Sequence, residues 1–303
     1  MRITLVRHAE TLANAAHIWQ GQTDAALSPL GETQREHLTA RMRGQRFDVV
    51  LCSDLGRTRR TAEALGVVAE PLAAWREANV GSWEGRTQAE IARLFPEEVK
   101  LLLDGEDFRI GQTGESFGEF QNRVAEAFNG VVQTLRPTNG HAVVVTHGGV
   151  ISTLLLHLMG KKKRLGTRTM AMLRNTSLTT VAFDDHQKPH IAVFNDATHL
   201  GTTAGSSPFA RVAMLHANDD AQALEHLDSA QLFTTFGAAR HTIAAHPASI
   251  SSLASRLLRC QDEHAAFAPP NHGAASHFEI VEGAVSLLDH GVVPRDSANH
   301  AST

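Results

Sequence analysis

Apolar residues recur along this chain in two rhythms. Short continuous or alternating runs fall at residues 3–6, 49–52, 142–145, 178–183 and 191–194, lengths that suit buried strands. Longer segments between them repeat at three and four. The clearest places Phe117, Phe120, Val124, Phe128, Val131, Val132 and Leu135 on one helical stripe. Ser28 followed by Pro29 predicts a helix start, since Ser caps free amides and Pro is tolerated at the first helical position. That helix should run toward Arg43, before Gly44. Residues 57–65 suit a helix ended by Gly66, and another is expected from Gln88 until Pro96 approaches. Gly148-Gly149 opens a helix through Ile151, Leu154 and Leu155, and the last two strands are separated by a polar turn at 184–188.

This alternation over residues 1–200 predicts an α/β fold in three layers, a mostly parallel sheet with helices on both faces. From about Gly201 the chain changes character. A Gly/Thr/Ser stretch reads as a linker, and segments rich in Ala, Leu and His follow. Pro247 can begin a helix bearing Ile250, Leu253, Leu257 and Leu258, and Phe278, Ile280, Val281, Ala284, Val285 and Leu288 suggest another. Residues 201–303 are therefore expected to form a smaller, mainly helical C-terminal region of unassigned role, outside the domain at 1–200.

Composition narrows the chemistry. At 303 residues, core size is not limiting. Hydrophobic residues make up 42% and charged residues 20%, and no apolar run approaches a membrane span. The N-terminus enters a strand directly, leaving no room for a signal peptide, so a soluble cytoplasmic protein is expected. Cys52 and Cys260 are the only cysteines, too few for a disulfide framework and neither placed as a nucleophile. A net charge of −4 gives no reason to expect nucleic acid or an acidic membrane as partner. Residues 201–303 hold five Lys and Arg against ten Asp and Glu, so any anion site should lie in the first two thirds.

That site is suggested at three strand ends. The first strand delivers Arg7 and His8, the second is followed by Ser53-Asp54-Leu55-Gly56-Arg57, and a later one by Thr146-His147-Gly148-Gly149. Open α/β sheets bind ligands at this edge, and a helix opening after His147 would turn free amides and partial positive charge toward an anion. Two guanidinium forks and two imidazoles could hold a dianionic phosphate.

These blocks resemble the histidine phosphatase superfamily, also called phosphoglycerate-mutase-like. Arg7-His8-Ala9-Glu10-Thr11 looks like its signature, with Ala9 where Gly is common, and Asn14 follows. Gln20-Gly21-Gln22-Thr23-Asp24, Leu27-Ser28-Pro29-Leu30-Gly31, the Arg57 block, Glu77 to Trp83-Glu84-Gly85, Gly114-Glu115-Ser116 and His147-Gly148-Gly149 then occur in family order. The resemblance spans about residues 1–200. It implies a phosphoglycerate-mutase-like fold in which His8 is the nucleophile and Glu77 the general acid and base. It also implies that Arg7, Arg57 and His147 hold the phosphoryl group, with Asn14, Gln20, Gly21 and Gly148 supporting. No metal and no cofactor are expected. The implied reaction is hydrolysis of a small-molecule phosphate monoester through a phosphohistidine. A phosphoglycerate mutase is the alternative, disfavoured because 77–114 lacks an Arg/Lys-rich insertion. A regulatory or assembly protein dominated by its C-terminal region is another, and a homodimer is possible.

Other features have plainer readings. Glu10 is expected to be structural, because a bare carboxylate would repel substrate, and Trp83 to be a core or pocket-wall residue. Lys161-Lys162-Lys163-Arg164 suits a solvated helix end. The nine histidines beyond residue 200, among them His241, His246, His272 and His277, match no compact metal motif. Of these, only the pair His272 and His277, in a loop containing Pro, Asn and Gly, stands as a candidate for metal binding.

Overall fold

The computed structural model describes residues 1–161, 172–201, 211–217, 241–245, 247–257, 266–267, 269–270, 275–281 and 284–292. Its centre is a sheet ordered β3 (Glu70–Leu72), β2 (Val49–Ser53), β4 (His141–Thr146), β1 (Arg2–Arg7), β5 (Leu178–Phe183) and β6 (Pro189–Asp196). The first four are parallel, β5 runs antiparallel to β1, and β6, antiparallel to β5, returns to the direction of the first four. β4 is buried at every position, as expected of a strand covered on both faces.

Alternation along these strands divides the core in two. Ile3, Leu5, Leu51, Ala142 and Val144 pack with Phe120, Val124, Phe128 and Val131 of α6 (Phe117–Leu135) and with Ile151, Leu154 and Leu155 of α7 (Gly148–Leu158). Val6, Cys52, Val143 and Val145 face the other way, onto Leu38 and Met42 of α2 (Pro29–Met42) and Ala62 of α3 (Gly56–Ala62). This is the expected three-layer arrangement, and it leaves the carboxyl ends of β1, β2 and β4 side by side.

Local chemistry sets the helix boundaries. The Ser28 side chain accepts the Gly31 amide at 2.9 Å, with Pro29 as the first helical residue. α6 opens with a capping box from Ser116 and Glu119. A short turn, α1 (Leu12–Ala15), is capped by Thr11 and Asn14 in the same way. α4 (Gln88–Leu94) ends before Pro96, as expected, but Pro96 then starts α5 (Pro96–Asp104). A proline that stops one helix can serve as the first residue of the next.

The C-terminal expectation needs correction. Pro247–Leu257 is the helix α8, with Ile250, Leu253 and Ala254 buried. Phe278, Ile280 and Val281, expected with Ala284, Val285 and Leu288 in one helix, instead fall in strand β10 (Ala275–Val281) and the other three in β11 (Ala284–Val292), paired antiparallel with Phe278 opposite Leu287 and Ile280 opposite Val285. Phe278 with Ile280 and Val285 with Leu287 also fit a period of two, and the glycine at 283 in the sequence is a turn signal that a helical reading passes over. β7 (Arg211–Ala217) and β8 (His241–Ala245) are also strands, so the described part of this region is not mainly helical. It continues the central sheet in the order β6-β11-β10-β7-β8, with His290 opposite Phe194, while β9 (Ala266–Phe267) pairs with β6. Ile250, Phe267, Phe278 and Leu287 join the same apolar cluster as Ile191 and Phe194. The expected linker at 202–210, Leu258, Lys162, Lys163, Arg164, His246, His272 and Cys260 lie outside the described residues.

Candidate active site

β1 ends at Arg7, and His8 follows, only 4% exposed. Its amide donates to Thr146 O at 2.9 Å, joining it to the end of β4. The ring Nδ1 lies 2.7 Å from Ala9 O. A carbonyl oxygen only accepts, so the imidazole proton sits on Nδ1 and Nε2 presents a lone pair. Burial, then the Arg7 and Arg57 charges, push His8 well below the ordinary histidine range. The ring is therefore neutral, as a nucleophile must be.

His147 follows β4 and is fully buried, its ring edge-on to His8 with centroids 5.3 Å apart. Its Nε2 is 2.9 Å from Ser53 Oγ. Ser53 Oγ also accepts the Leu55 amide at 3.4 Å, and its hydroxyl can donate to His147 Nε2 or accept from it, the first arrangement being the one that leaves the imidazole proton on Nδ1. That Nδ1 has no partner. Burial, then Arg57, His8 and Arg7, hold this ring well below its usual range too, which keeps His147 neutral.

Arg57 lies in the first turn of α3, 2% exposed. Its Nη1 donates to Thr23 O and its Nη2 to Gly21 O, both at 2.7 Å. Gly21 reaches that position with φ +52°, a backbone region that glycine enters without strain. Asp24 accepts the Gly56 and Arg57 amides and so caps the same helix. Arg7 donates through Nη1 to Leu173 O. Burial lowers the pKa of both guanidiniums, opposed chiefly by the charge of Glu77, yet an arginine stays protonated. The Nε atoms of Arg7 and Arg57 are buried without a partner. Together with His147 Nδ1 they make three buried nitrogens near His8 without a partner among the described residues.

Glu77 lies outside the strands but reaches the same place. Its carboxylate accepts the Ala78 amide at 2.9 Å and the Gly149 amide, in the first turn of α7, at 3.0 Å. Gly149 is required there because a Cβ would overlap Glu77 Oε1, and Gly148 packs against the Arg7 side chain. Asn14 and Gln20, expected as supporting donors, both hold Thr11. Gln20 Nε2 donates to Thr11 Oγ1 at 2.6 Å and Asn14 Oδ1 accepts the Thr11 amide at 3.3 Å. Gly21 acts through a carbonyl that fixes Arg57.

Four further residues support the pocket. Ser53 orients His147. Thr61 accepts the Ala9 amide at 2.9 Å and donates to Arg57 O at 2.7 Å, a link foreshadowed by its position one helical turn after Arg57. Asn175 donates to His8 O at 2.9 Å, and Arg123 grips the backbone around Glu77. Only the tertiary fold brings these last two in. Glu10 is structural, as expected, accepting the Ser28 hydroxyl at 2.7 Å. Trp83 is a core residue, 1% exposed and edge-on to Trp19. Cys52 is buried and its thiol is pushed up by that burial, the opposite of an activated nucleophile. Among the described residues no group of three or more His, Cys, Asp or Glu side chains could hold a metal ion, His277 is a buried residue of β10, and no helix is long and apolar enough to cross a membrane.

Two buried histidines, the buried Arg57 and the partly buried Arg7 at the carboxyl edge of a three-layer sheet have the makeup of a phosphoryl-transfer enzyme. The chain belongs to the histidine phosphatase superfamily, branch 1, whose profile matches residues 3–197. A relative named probable phosphoglycerate mutase GpmB, from Erwinia tasmaniensis, is 36% identical over 217 residues, 67% of this chain and 97% of that protein. The solved phosphoserine phosphatase of Entamoeba histolytica, in complex with 3-phosphoglyceric acid, superposes with a TM-score of 0.59 at 29% identity, covering 66% of this chain and 98% of that one. A mycobacterial glucosyl-3-phosphoglycerate phosphatase gives 0.56 at 26% identity, covering 64% and 98%. About two thirds of this chain thus spans almost the whole of each of these proteins, and its C-terminal third has no counterpart in them.

Proposed function

We propose that this protein is a metal-independent phosphomonoesterase that hydrolyses a small phosphorylated metabolite through a phosphohistidine on His8. The observation that carries this reading is the 2.7 Å contact of His8 Nδ1 with Ala9 O, which leaves Nε2 as the attacking atom. In the first step the Nε2–P bond forms as the P–O bond to the leaving group breaks. Arg7, Arg57 and the His147 Nδ1–H meet the equatorial oxygens, and Glu77 gives its proton to the departing oxygen. In the second step Glu77, now a carboxylate, takes a proton from water, whose oxygen attacks phosphorus. Inorganic phosphate leaves, His8 is restored neutral and Glu77 is again protonated.

Hydrolysis is favoured over mutase chemistry by three ion pairs among the described residues. A mutase substrate needs a basic group for a second acid function, but Arg76, Arg109 and Arg123 are already tied to Asp54, Glu119 and Glu115. The partner is then a small phosphate ester, with no role for nucleic acid or membrane.

The test is phosphate release in the presence of chelator, by wild type and His8→Ala, across an aryl phosphate and a panel including phosphoserine, phosphoglycerates and sugar phosphates. Wild type should turn over without metal or 2,3-bisphosphoglycerate, and His8→Ala should lose at least about four orders of magnitude. Turnover that disappears with chelator, or survives in His8→Ala, would overturn the mechanism. Phosphoryl movement between positions of phosphoglycerate in place of release would identify a mutase.

A further inference from the structure

Glu77 stands on an irregular stretch between two short turns, Ala73–Trp75 and Gly81–Trp83. No helix and no strand ladder holds this backbone, yet proton transfer requires the carboxyl to be placed within a fraction of an ångström. Gln22 Nε2 donates to Glu77 O at 3.2 Å and the Gly149 amide to its carboxylate at 3.0 Å, and the remaining hydrogen bonds to this backbone come chiefly from Arg123 on α6. Its Nη1 donates to Ala74 O at 3.0 Å and Arg76 O at 2.9 Å, and its Nη2 to Glu77 O at 3.2 Å. Its Nε and Nη2 meet the two carboxylate oxygens of Glu115, each at 2.7 Å. All five N–H groups of the guanidinium are thereby engaged, so none is left for substrate. The guanidinium also lies over the Phe120 ring, 5.0 Å from its centre.

Glu115 completes the device from the other side. Its Oε2 accepts the Asn79 amide at 2.9 Å, and its own amide donates to Asn79 O at 2.8 Å. One bidentate ion pair therefore fixes backbone atoms at residues 74, 76, 77 and 79 at once. From this we infer that Arg123, held by Glu115, is the positioning residue for Glu77 and sets how well the proton reaches the leaving group. The inference rests on the reading of Glu77 as general acid given above. Lysine cannot replace this arginine, because a point charge with three donors has no planar fork for a carboxylate and three carbonyls.

Leaving groups provide a readout that a merely structural role would not move. A dinitrophenolate departs without needing a proton, whereas an alkoxide needs one. The measured quantity is the ratio of kcat/KM for an alkyl phosphate to kcat/KM for 2,4-dinitrophenyl phosphate, since kcat/KM covers the steps up to departure of the leaving group. Glu77→Gln should lower this ratio about a hundredfold. Arg123→Lys should lower it about tenfold, and adding Arg123→Lys to Glu77→Gln should lower it no further. Glu115→Gln, which keeps the arginine but weakens its anchor, should lower it about threefold and decides the matter should Arg123→Lys fail to fold. A ratio moved by Glu77→Gln but by neither clamp variant overturns the positioning role alone, as does a further fall in the double variant. A ratio unmoved by Glu77→Gln overturns the assignment of Glu77, and the clamp's role with it.

Discussion

β4 has a buried histidine at each end, and the contrast between them separates packing from function. His141, its first residue, has Nε2 2.9 Å from Thr4 Oγ1, packs edge-on to Phe47, and lies between Arg2 and Asp48, whose charges act in opposite directions. His147, just beyond the other end, is surrounded by Arg57, His8, Arg7 and Arg123, all acting in the same direction. Burial holds both rings neutral, and each has an Nδ1 without a hydrogen-bond partner among the described residues, but only at the carboxyl end do all the neighbouring charges act in one direction, with two arginine Nε atoms also unpartnered. Such an arrangement costs stability until an anion enters. The amino end is balanced by charge within the chain, and on the proposed reading the carboxyl end is completed by a phosphate ester from outside.

The sharpest way to break this contrast is to substitute one residue at each end. Arg57→Ala should reduce kcat/KM for any phosphate ester by roughly a hundred- to a thousandfold, while His141→Asn should change it by less than about threefold. Equal losses from both would mean that the two ends do not differ in function. A smaller effect is expected from ligand alone. Orthovanadate at a hundred times its dissociation constant should stabilise the fold by about 2.7 kcal/mol, read as a rise in Tm that His141→Asn keeps and Arg57→Ala largely loses. A rise that survives in Arg57→Ala would place the anion elsewhere.

The smallest effect concerns acid. His141 titrates at about 4 in the folded protein against an ordinary 6.5, so the unfolded chain takes up its proton first as pH falls. The stability gained by keeping this ring neutral is present above pH 6.5 and is lost between 6.5 and about 4. His8 and His147, also depressed, add in the same direction. Tm should therefore fall across this window in ligand-free protein, and His141→Asn should make the fall shallower. An unchanged slope would show that the ring at the amino end contributes nothing to acid sensitivity.

How much of this is legible in the sequence varies with the physics involved. His8, Arg7, Arg57 and His147 stand next to apolar runs that suit buried strands, and strands of one parallel sheet end together. Glu77 follows no such run, so only the family resemblance points to it. Asn175 and Arg123 meet the site across 167 and 46 residues of chain, from His8 and Glu77 respectively, and no local pattern encodes a contact of that range. Asn14 and Gln20 are located by the resemblance, but the bonds they make to Thr11 depend on how a loop folds back. The C-terminal strands escape a sequence reading for a different reason. Phe278, Ile280, Val281, Ala284, Val285 and Leu288 share one helical stripe, while Phe278 with Ile280 and Val285 with Leu287 alternate as strands do, and tertiary pairing with β7 and β11 decides between them.

The contact between His8 Nδ1 and Ala9 O carries a stereochemical consequence. Imidazole can be phosphorylated at either nitrogen, giving two isomers with different phosphorus resonances. With Nδ1 engaged by a carbonyl belonging to the neighbouring residue, the proposed cycle makes a single regioisomer, τ-phosphohistidine. A trapped intermediate examined by 31P NMR should therefore contain none of the π form.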